Sequence, residues 1–366
     1  MTRYFFAFVI LIHGLIHLVG FLKAFGYGNI QHFTKDISKS IGIFWLLITL
    51  VFILTEVLLL SRKETWWMVA IPAVLASQFL IIMYWKDAKY GTIFNVLVLL
   101  VAIIAYAEWN FNKKLKKEVT ILLGSATMHP SVINHEMTRD LPVVVKKWMH
   151  HSAVIGKQAI HTVRLKQKGM MRSKPGGKWM DFTAIQYFNV DEPAFNWQVR
   201  ANVMPLVFMN GRDRYENGRG EMLIKLLSVK NVVDSKGSSE MDQASMLRYL
   251  AEICWFPSAA LSKYIKWQAV DDSSAMATMS YSNMSVSGIF FFNQHGDVSG
   301  FEAMRCGEFN GKRSLEKWHI SSIDYALFEG IRIPQKSEVT WKLKDGDFTW
   351  LKLELETVEY NNPELF

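Results

Sequence analysis

Four long apolar runs occupy the first third of the chain, at residues 4–25, 41–60, 66–85 and 91–109. Each is close to the roughly 20 residues that cross about 30 Å of hydrocarbon, so the pattern predicts four transmembrane helices. Beyond residue 110 the runs shorten and polar positions interleave. Residues 119–125 read as a short link, and residues 141–149 as a helix with Pro142 in its first turn. The period then changes to two. Residues 161–167 alternate around Val163 and Leu165, and 178–187, 195–199, 221–227, 339–343 and 348–355 continue the strand signal. Turns are expected at residues 191–193 and at Asp345–Gly346, the latter closing a hairpin. Residues 242–253 read as a helix capped by Asp242, with Met246, Leu247, Leu250 and Ile253 on one face. Strands, a helical interruption and further hairpin-linked strands favour an antiparallel sheet over βαβ winding. The expected fold is four transmembrane helices followed by an α+β domain, a curved antiparallel half-barrel with packed helices. Its expected parts are a membrane region at 1–110, a juxtamembrane linker at 111–140 and a soluble domain at 141–366.

Ionisable groups inside the apolar runs change this picture. His13 and His17 stand four apart and share a helix face, Glu56 lies in the second run, Gln78 in the third and Asn95 in the fourth. Such groups are costly in hydrocarbon and are expected to face the bundle and find one another. Two readings stand: a polar seam that fixes helix packing, or a buried site for a metal, a quinone headgroup or a proton.

The formal charge of +8 on 366 residues raises nucleic acid as a partner. Lys113, Lys114, Lys116 and Lys117, however, cluster beside the last run, where they meet anionic headgroups. No recognition helix or zinc spacing accompanies the charge, so nucleic acid is not an expected partner. With four spans and both ends inside, Arg3, Arg62, Lys63 and that cluster oppose Lys23, Lys35, Lys39, Lys86 and Lys89. The positive-inside rule then favours a cytoplasmic large domain. Cys254 and Cys306 are the only cysteines and set no disulfide framework.

The soluble part is rich in tryptophan: Trp179, Trp197, Trp255, Trp267, Trp318, Trp341 and Trp350. These side chains build the inner face of a curved sheet and leave either a packed core or an apolar cavity. Arg212, Asp213, Arg214 and Tyr215 form the most unusual local stretch, read as an Arg–Asp network closing a hairpin or as an anion receptor. Arg248 and Glu252 are spaced for an ion pair on one helix face, whether structural or at a ligand mouth. No nucleotide loop, nucleophile elbow or closed metal pattern is present, so no catalytic residue, metal site or cofactor is expected.

Leu141–Pro142, Lys166–Gln167–Lys168–Gly169–Met170–Met171, Trp179, Phe182–Thr183–Ala184–Ile185–Gln186–Tyr187 and Phe195–Asn196–Trp197 recur in order in an uncharacterised bacterial family. So do Arg212–Asp213 with Tyr215, Gly218 and Gly220, Arg248–Tyr249–Leu250–Ala251–Glu252 with Trp255 and Pro257, and Gly330–Ile331–Arg332–Ile333–Pro334. Over residues 141–359 the chain resembles that membrane-anchored family, whose domain is similar to lipoprotein carriers of the LolA type. The resemblance implies a half-open antiparallel barrel with a helical lid and an apolar interior, in the bacterial inner membrane. It also implies an extracytoplasmic domain, against the charge count. The leading expectation is a membrane-tethered module that binds a lipid, acyl chain or hydrophobic peptide. Arg212 and Arg248 would address a polar head, Trp197, Trp255 and Trp267 the apolar part, and Asp213, Tyr215 and Glu252 complete the expected ligand-binding set. The alternatives are an enzyme acting on a membrane lipid and a structural or assembly factor with no small-molecule ligand; the expected partners are membrane lipids and a hydrophobic ligand or membrane protein.

Overall fold

Helices make up the first unit, Met1–Lys113, of the computed structural model. The structure describes residues 2–27, 30, 34–309 and 311–366. The helices are α1 (Thr2–Ile16), α2 (Leu18–Ala24), α3 (Lys39–Leu60), α4 (Trp67–Met83), α5 (Trp85–Ala88) and α6 (Gly91–Gly124). Three stretches are long and apolar enough to cross a membrane: Arg3–Ala24, Lys39–Leu60 and Gly91–Gly124. The third apolar run forms α4, which has 17 residues and ends where Tyr84 leaves helical geometry. At 1.5 Å per residue it spans about 25 Å, short of about 30 Å of hydrocarbon. Close approach of α1 and α2 to α3 depends on small residues. A Cβ on Gly14 would meet Phe52 Cβ at 2.7 Å, and one on Gly20 would meet the Trp45 ring at 2.4 Å.

Most of the polar groups in these helices find one another. His17 Nδ1 donates to His13 O, which leaves its Nε2 to accept from Ser77 Oγ at 2.7 Å. Asn95 Nδ2 donates to Gln78 Oε1, so Asn95 Oδ1 accepts from His13 Nε2 at 2.8 Å. Gln78 Nε2 continues the chain to Thr92 Oγ1. Glu56 is half-buried and forms no hydrogen bond or ion pair among the described residues.

The second unit, Lys114–Phe366, is built on one sheet. The last turns of α6 belong to it. Residues expected to form a link continue the helix because Val119, Leu122 and Leu123 recur on one face and bury against Tyr187 and Ala194. Helix α7 (Val143–His151) buries Val144, Val145, Trp148 and Met149. Six strands follow: β1 (Thr162–Met171), β2 (Met180–Asn189), β3 (Ala194–Met204), β4 (Val207–Glu216), β5 (Arg219–Leu226) and β6 (Lys230–Lys236). Helix α8 (Ser239–Glu252) intervenes. The chain then forms β7 (Ile265–Asp271), β8 (Ser274–Tyr281), β9 (Met284–Phe292), β10 (Val298–Phe309), β11 (Lys312–Phe328), β12 (Ile331–Leu343) and β13 (Gly346–Tyr360).

All neighbours pair antiparallel, in the order β6-β5-β4-β3-β2-β1-β13-β12-β11-β10-β9-β8-β7. Two meanders are thus joined where β1 meets β13. The edges are β6 and β7, the strands that flank α8 in sequence, and no ladder joins them among the described residues. This is the expected large curved antiparallel sheet, open on one side, with α8 packed against β4, β5, β9 and β10.

Local geometry departs from expectation at three places. Arg212–Asp213 lies inside β4 and not in a turn; the turn is Asn217–Gly218, with φ of 52° and 76°. Those left-handed angles suit the twist of a two-residue hairpin, and Asn-Gly adopts them at little cost. The last hairpin turns on Lys344–Asp345, since Leu343 pairs with Gly346. Helix α8 is capped by Ser238, whose Oγ accepts from Met241 N at 3.2 Å. Asp242 is buried one turn further in, where it accepts from Gly220 N at 2.7 Å and Arg219 Nη1 at 2.9 Å.

Candidate functional site

A cavity of about 470 Å³ lies between α8 and the inner face of the sheet. Strand alternation directs Trp197 (β3), Trp318 (β11), Trp341 (β12) and Phe348 (β13) inward, and the chain following α8 adds Trp255. These rings give the cavity a mainly apolar wall.

Eight charged side chains interrupt that wall, Arg172, Glu240, Glu308 and Arg313 besides the group formed by Asp213, Arg248, Glu252 and Arg305. Arg248 Nη1 donates to Asp213 Oδ2 at 2.7 Å and Arg248 Nε to Glu252 Oε1 at 2.8 Å. The second Glu252 oxygen accepts from Gln186 Nε2 at 2.8 Å. The Arg248 guanidinium lies 4.6 Å from the Trp197 ring centroid and 4.9 Å from that of Phe195. Arg305, on β10, stacks over Trp318 at 4.6 Å and donates Nε to Ala244 O at 3.3 Å.

Burial pushes the Asp213 and Glu252 carboxyls up, and Arg248 only partly opposes it. Burial also works against the Arg248 charge, but Glu252 and Asp213 more than offset it and raise its pKa. Arg305 has no such partner, and burial together with the nearby Arg248 charge pulls it down to about 10. Burial drives the thiol of the cavity-lining Cys254 far up, which favours its neutral form.

The structure brings together Asp213, Arg248, Glu252, Trp197 and Trp255 from the sequence-derived set, all lining the cavity. It places the other three elsewhere. Arg212 precedes Asp213 in a strand and so points to the opposite face, where it is 3 % exposed. There Nη1 donates to Glu221 Oε2 at 2.8 Å, and Nε lies 3.4 Å from Glu118 Oε2. Burial works against the Glu221 carboxylate, yet Arg212 and Arg214 hold it below the ordinary range. The Arg212 charge is therefore spent inside the fold. Tyr215 is fully buried against Phe195 and Tyr249, and burial pushes its hydroxyl up. Trp267 packs on Trp148 and Phe290 and donates its indole N–H to Ala260 O.

Sequence reasoning missed Arg305 and Gln167. Both were findable from alternation: Arg305 shares an inward face with the buried Phe301 and Ala303, and Gln167 with Val163 and Leu165. A single polar residue ending an apolar face is the signal. Among the described residues, no three His, Cys, Asp or Glu side chains are placed to hold a metal ion.

No curated protein matches the chain. Among solved structures, a LolA-superfamily protein from Nitrosomonas europaea aligns with 10 % identity and a TM-score of 0.34, covering 60 % of this chain and 92 % of its own. A DUF1329-family protein from Desulfovibrio piger aligns with 9 % identity and a TM-score of 0.32, covering 60 % and 90 %. A β-barrel-like DUF1849 protein from Brucella abortus aligns with 12 % identity and a TM-score of 0.21, covering 56 % and 99 %. A family model matches residues 131–353, more than half of the sequence, and the chain belongs to that family of unknown function, DUF6544.

Proposed function

We propose that the protein is a membrane-tethered binding module that holds a lipid, acyl chain or other hydrophobic ligand in the cavity beneath α8. The observation that carries this reading is the cavity itself. About 470 Å³ of space, walled by Trp197, Trp255, Trp318, Trp341 and Phe348, falls in the size range of small-molecule sites. Filling it with protein side chains would have been the cheaper way to stabilise the sheet, since each unfilled methyl-sized space costs about 1 kcal/mol. The charged group on one wall supplies a polar anchor for an otherwise apolar occupant.

The tether fits this role. We place four crossings in the bacterial inner membrane, with α4 completing the set and both termini on one side. The lysine cluster at Lys113, Lys114, Lys116 and Lys117 favours the cytoplasmic side for the large unit. A C-terminal fluorescent-protein fusion that lights up only on cytoplasmic folding tests that side, and a dark fusion reverses it.

A second reading, an enzyme acting on a membrane lipid, draws on Asp213 and Glu252, two carboxyls raised by burial beside the same cavity. Both are engaged by Arg248, however, and among the described residues no histidine lines the cavity. The binding reading is tested by native mass spectrometry of the full chain released from lipid nanodiscs. Wild type should retain one amphiphile per chain, and Leu353→Trp, which fills the cavity wall, should retain none. Equal occupancy of the two, or an empty wild type, refutes it.

A further inference from the structure

Four side chains that line the cavity carry a buried nitrogen donor with no partner among the described residues: Gln167 Nε2 and the indole Nε1 of Trp255, Trp318 and Trp350. Gln167, Trp255 and Trp318 are only 2 %, 4 % and 3 % exposed. No lining side chain contributes a buried acceptor in the same state. Unpaired buried donors are costly and rare, so an imbalance of one kind around one cavity specifies the missing partner: a molecule rich in acceptor oxygens.

Arg305 makes the class narrower. Its Nε is engaged by Ala244 O, but Nη1 and Nη2 donate to no described residue, and it forms no ion pair there. Its neighbour Arg248 has both Nε and Nη1 taken by carboxylates. A guanidinium held by two indole faces, with its outer fork open, has the geometry that grips a carboxylate or phosphate through paired hydrogen bonds.

We infer that Arg305 receives the oxyanion head of a single-chain amphiphile whose chain fills the tryptophan-lined space. This rests on the binding reading above and specifies its ligand. The head is an oxyanion whether it comes from a free long-chain carboxylic acid or from a single-chain phosphate ester.

The test is photolabelling of the full chain in nanodiscs with a diazirine-bearing long-chain carboxylate. Three unlabelled competitors of equal chain length are compared: a carboxylate, a lysophosphatidic acid and a primary alcohol. On wild type, at least one anion should displace the probe from cavity peptides at a concentration at least tenfold lower than the alcohol. The better anion identifies the source of the head. Arg305→Gln should abolish that gap while the alcohol competes as before, and Arg305→Lys should keep part of it. If Arg305→Gln no longer labels at all, Arg305→Lys decides: a retained gap supports the assignment and a lost gap overturns it. Equal competition by all three compounds on wild type, or a gap unchanged in Arg305→Gln, overturns the Arg305 assignment but leaves a cavity that binds chains. Absence of label from cavity peptides in wild type overturns the binding reading itself.

Discussion

Replacing Arg248 by methionine removes the cation that Asp213 and Glu252 share while keeping most of the side-chain volume. The three groups are 14 %, 21 % and 9 % exposed, so solvent does little to screen the loss. Breaking a buried pair from one side typically costs about 3–5 kcal/mol, because it leaves a charge buried without compensation. Here two carboxylates lose one partner, which places the cost in the upper part of that range. The sign of the pH dependence follows from the carboxyls, which burial already raises and which rise further without Arg248. A carboxyl raised in the folded state contributes stability that is present below its unfolded value, near 4, and is lost as pH climbs through the folded value. Arg248→Met should therefore lie near wild type at about pH 4 and lose stability progressively toward pH 8. Hydrogen exchange of the α8 amides in the full chain reads this locally, without requiring the membrane unit to unfold. At pH 8 a loss of this size accelerates exchange of the slowest α8 amides by roughly a hundred- to several-thousand-fold. Adding Asp213→Asn and Glu252→Gln should recover most of the loss. A penalty below about 1 kcal/mol, or one of equal size at pH 5 and pH 8, refutes the view of these groups as a buried, mutually dependent cluster.

Other perturbations probe the frame around the cavity. A Cβ on Gly220 would stand 2.4 Å from Ser245 Oγ and 2.5 Å from Met241 O, so Gly220→Ala should push α8 from β5 and cost about 1–3 kcal/mol, measured by α8 exchange. Ser238→Ala removes the α8 cap and should cost about 1 kcal/mol, with faster exchange confined to the first turn. Asn95→Leu cuts the hydrogen bond to His13 and the one to Gln78; a loss of about 1–2 kcal/mol in membrane-unit stability is expected from steric-trap unfolding.

Which parts of this were legible in sequence follows from the range of the interactions concerned. The apolar runs and the alternation around Val163 and Leu165 are local, and they gave the helical region and several strands at close to their observed places. The stretch 265–328 was silent because β7 to β11 carry many small and polar residues, such as Ser280, Ser285 and Ser287, whose pairing is fixed only by the sheet. The pairing of β1 with β13 is non-local, and no periodicity reports it. Arg212 and Asp213 show the same limit at the site. Their adjacency in sequence read as one site, yet the strand period sends Asp213 to the cavity and Arg212 to Glu221 and Glu118. Arg248 and Glu252 were legible because four residues on a helix is a contact in itself. The inward face of Arg305 was legible from its alternation with Phe301 and Ala303, but its open outer fork was not, because that depends on the absence of a carboxylate that only the folded chain could have supplied.

The central claim is that the space beneath α8 is a ligand site. It is tested most directly by an experimental density map of the full chain prepared with a long-chain carboxylate. Elongated density along Trp197, Trp318 and Trp341, with one end within hydrogen-bond reach of Arg305 Nη1 or Nη2, is the expected result. A cavity holding only ordered water, or closed by movement of α8 onto the sheet, would contradict the account.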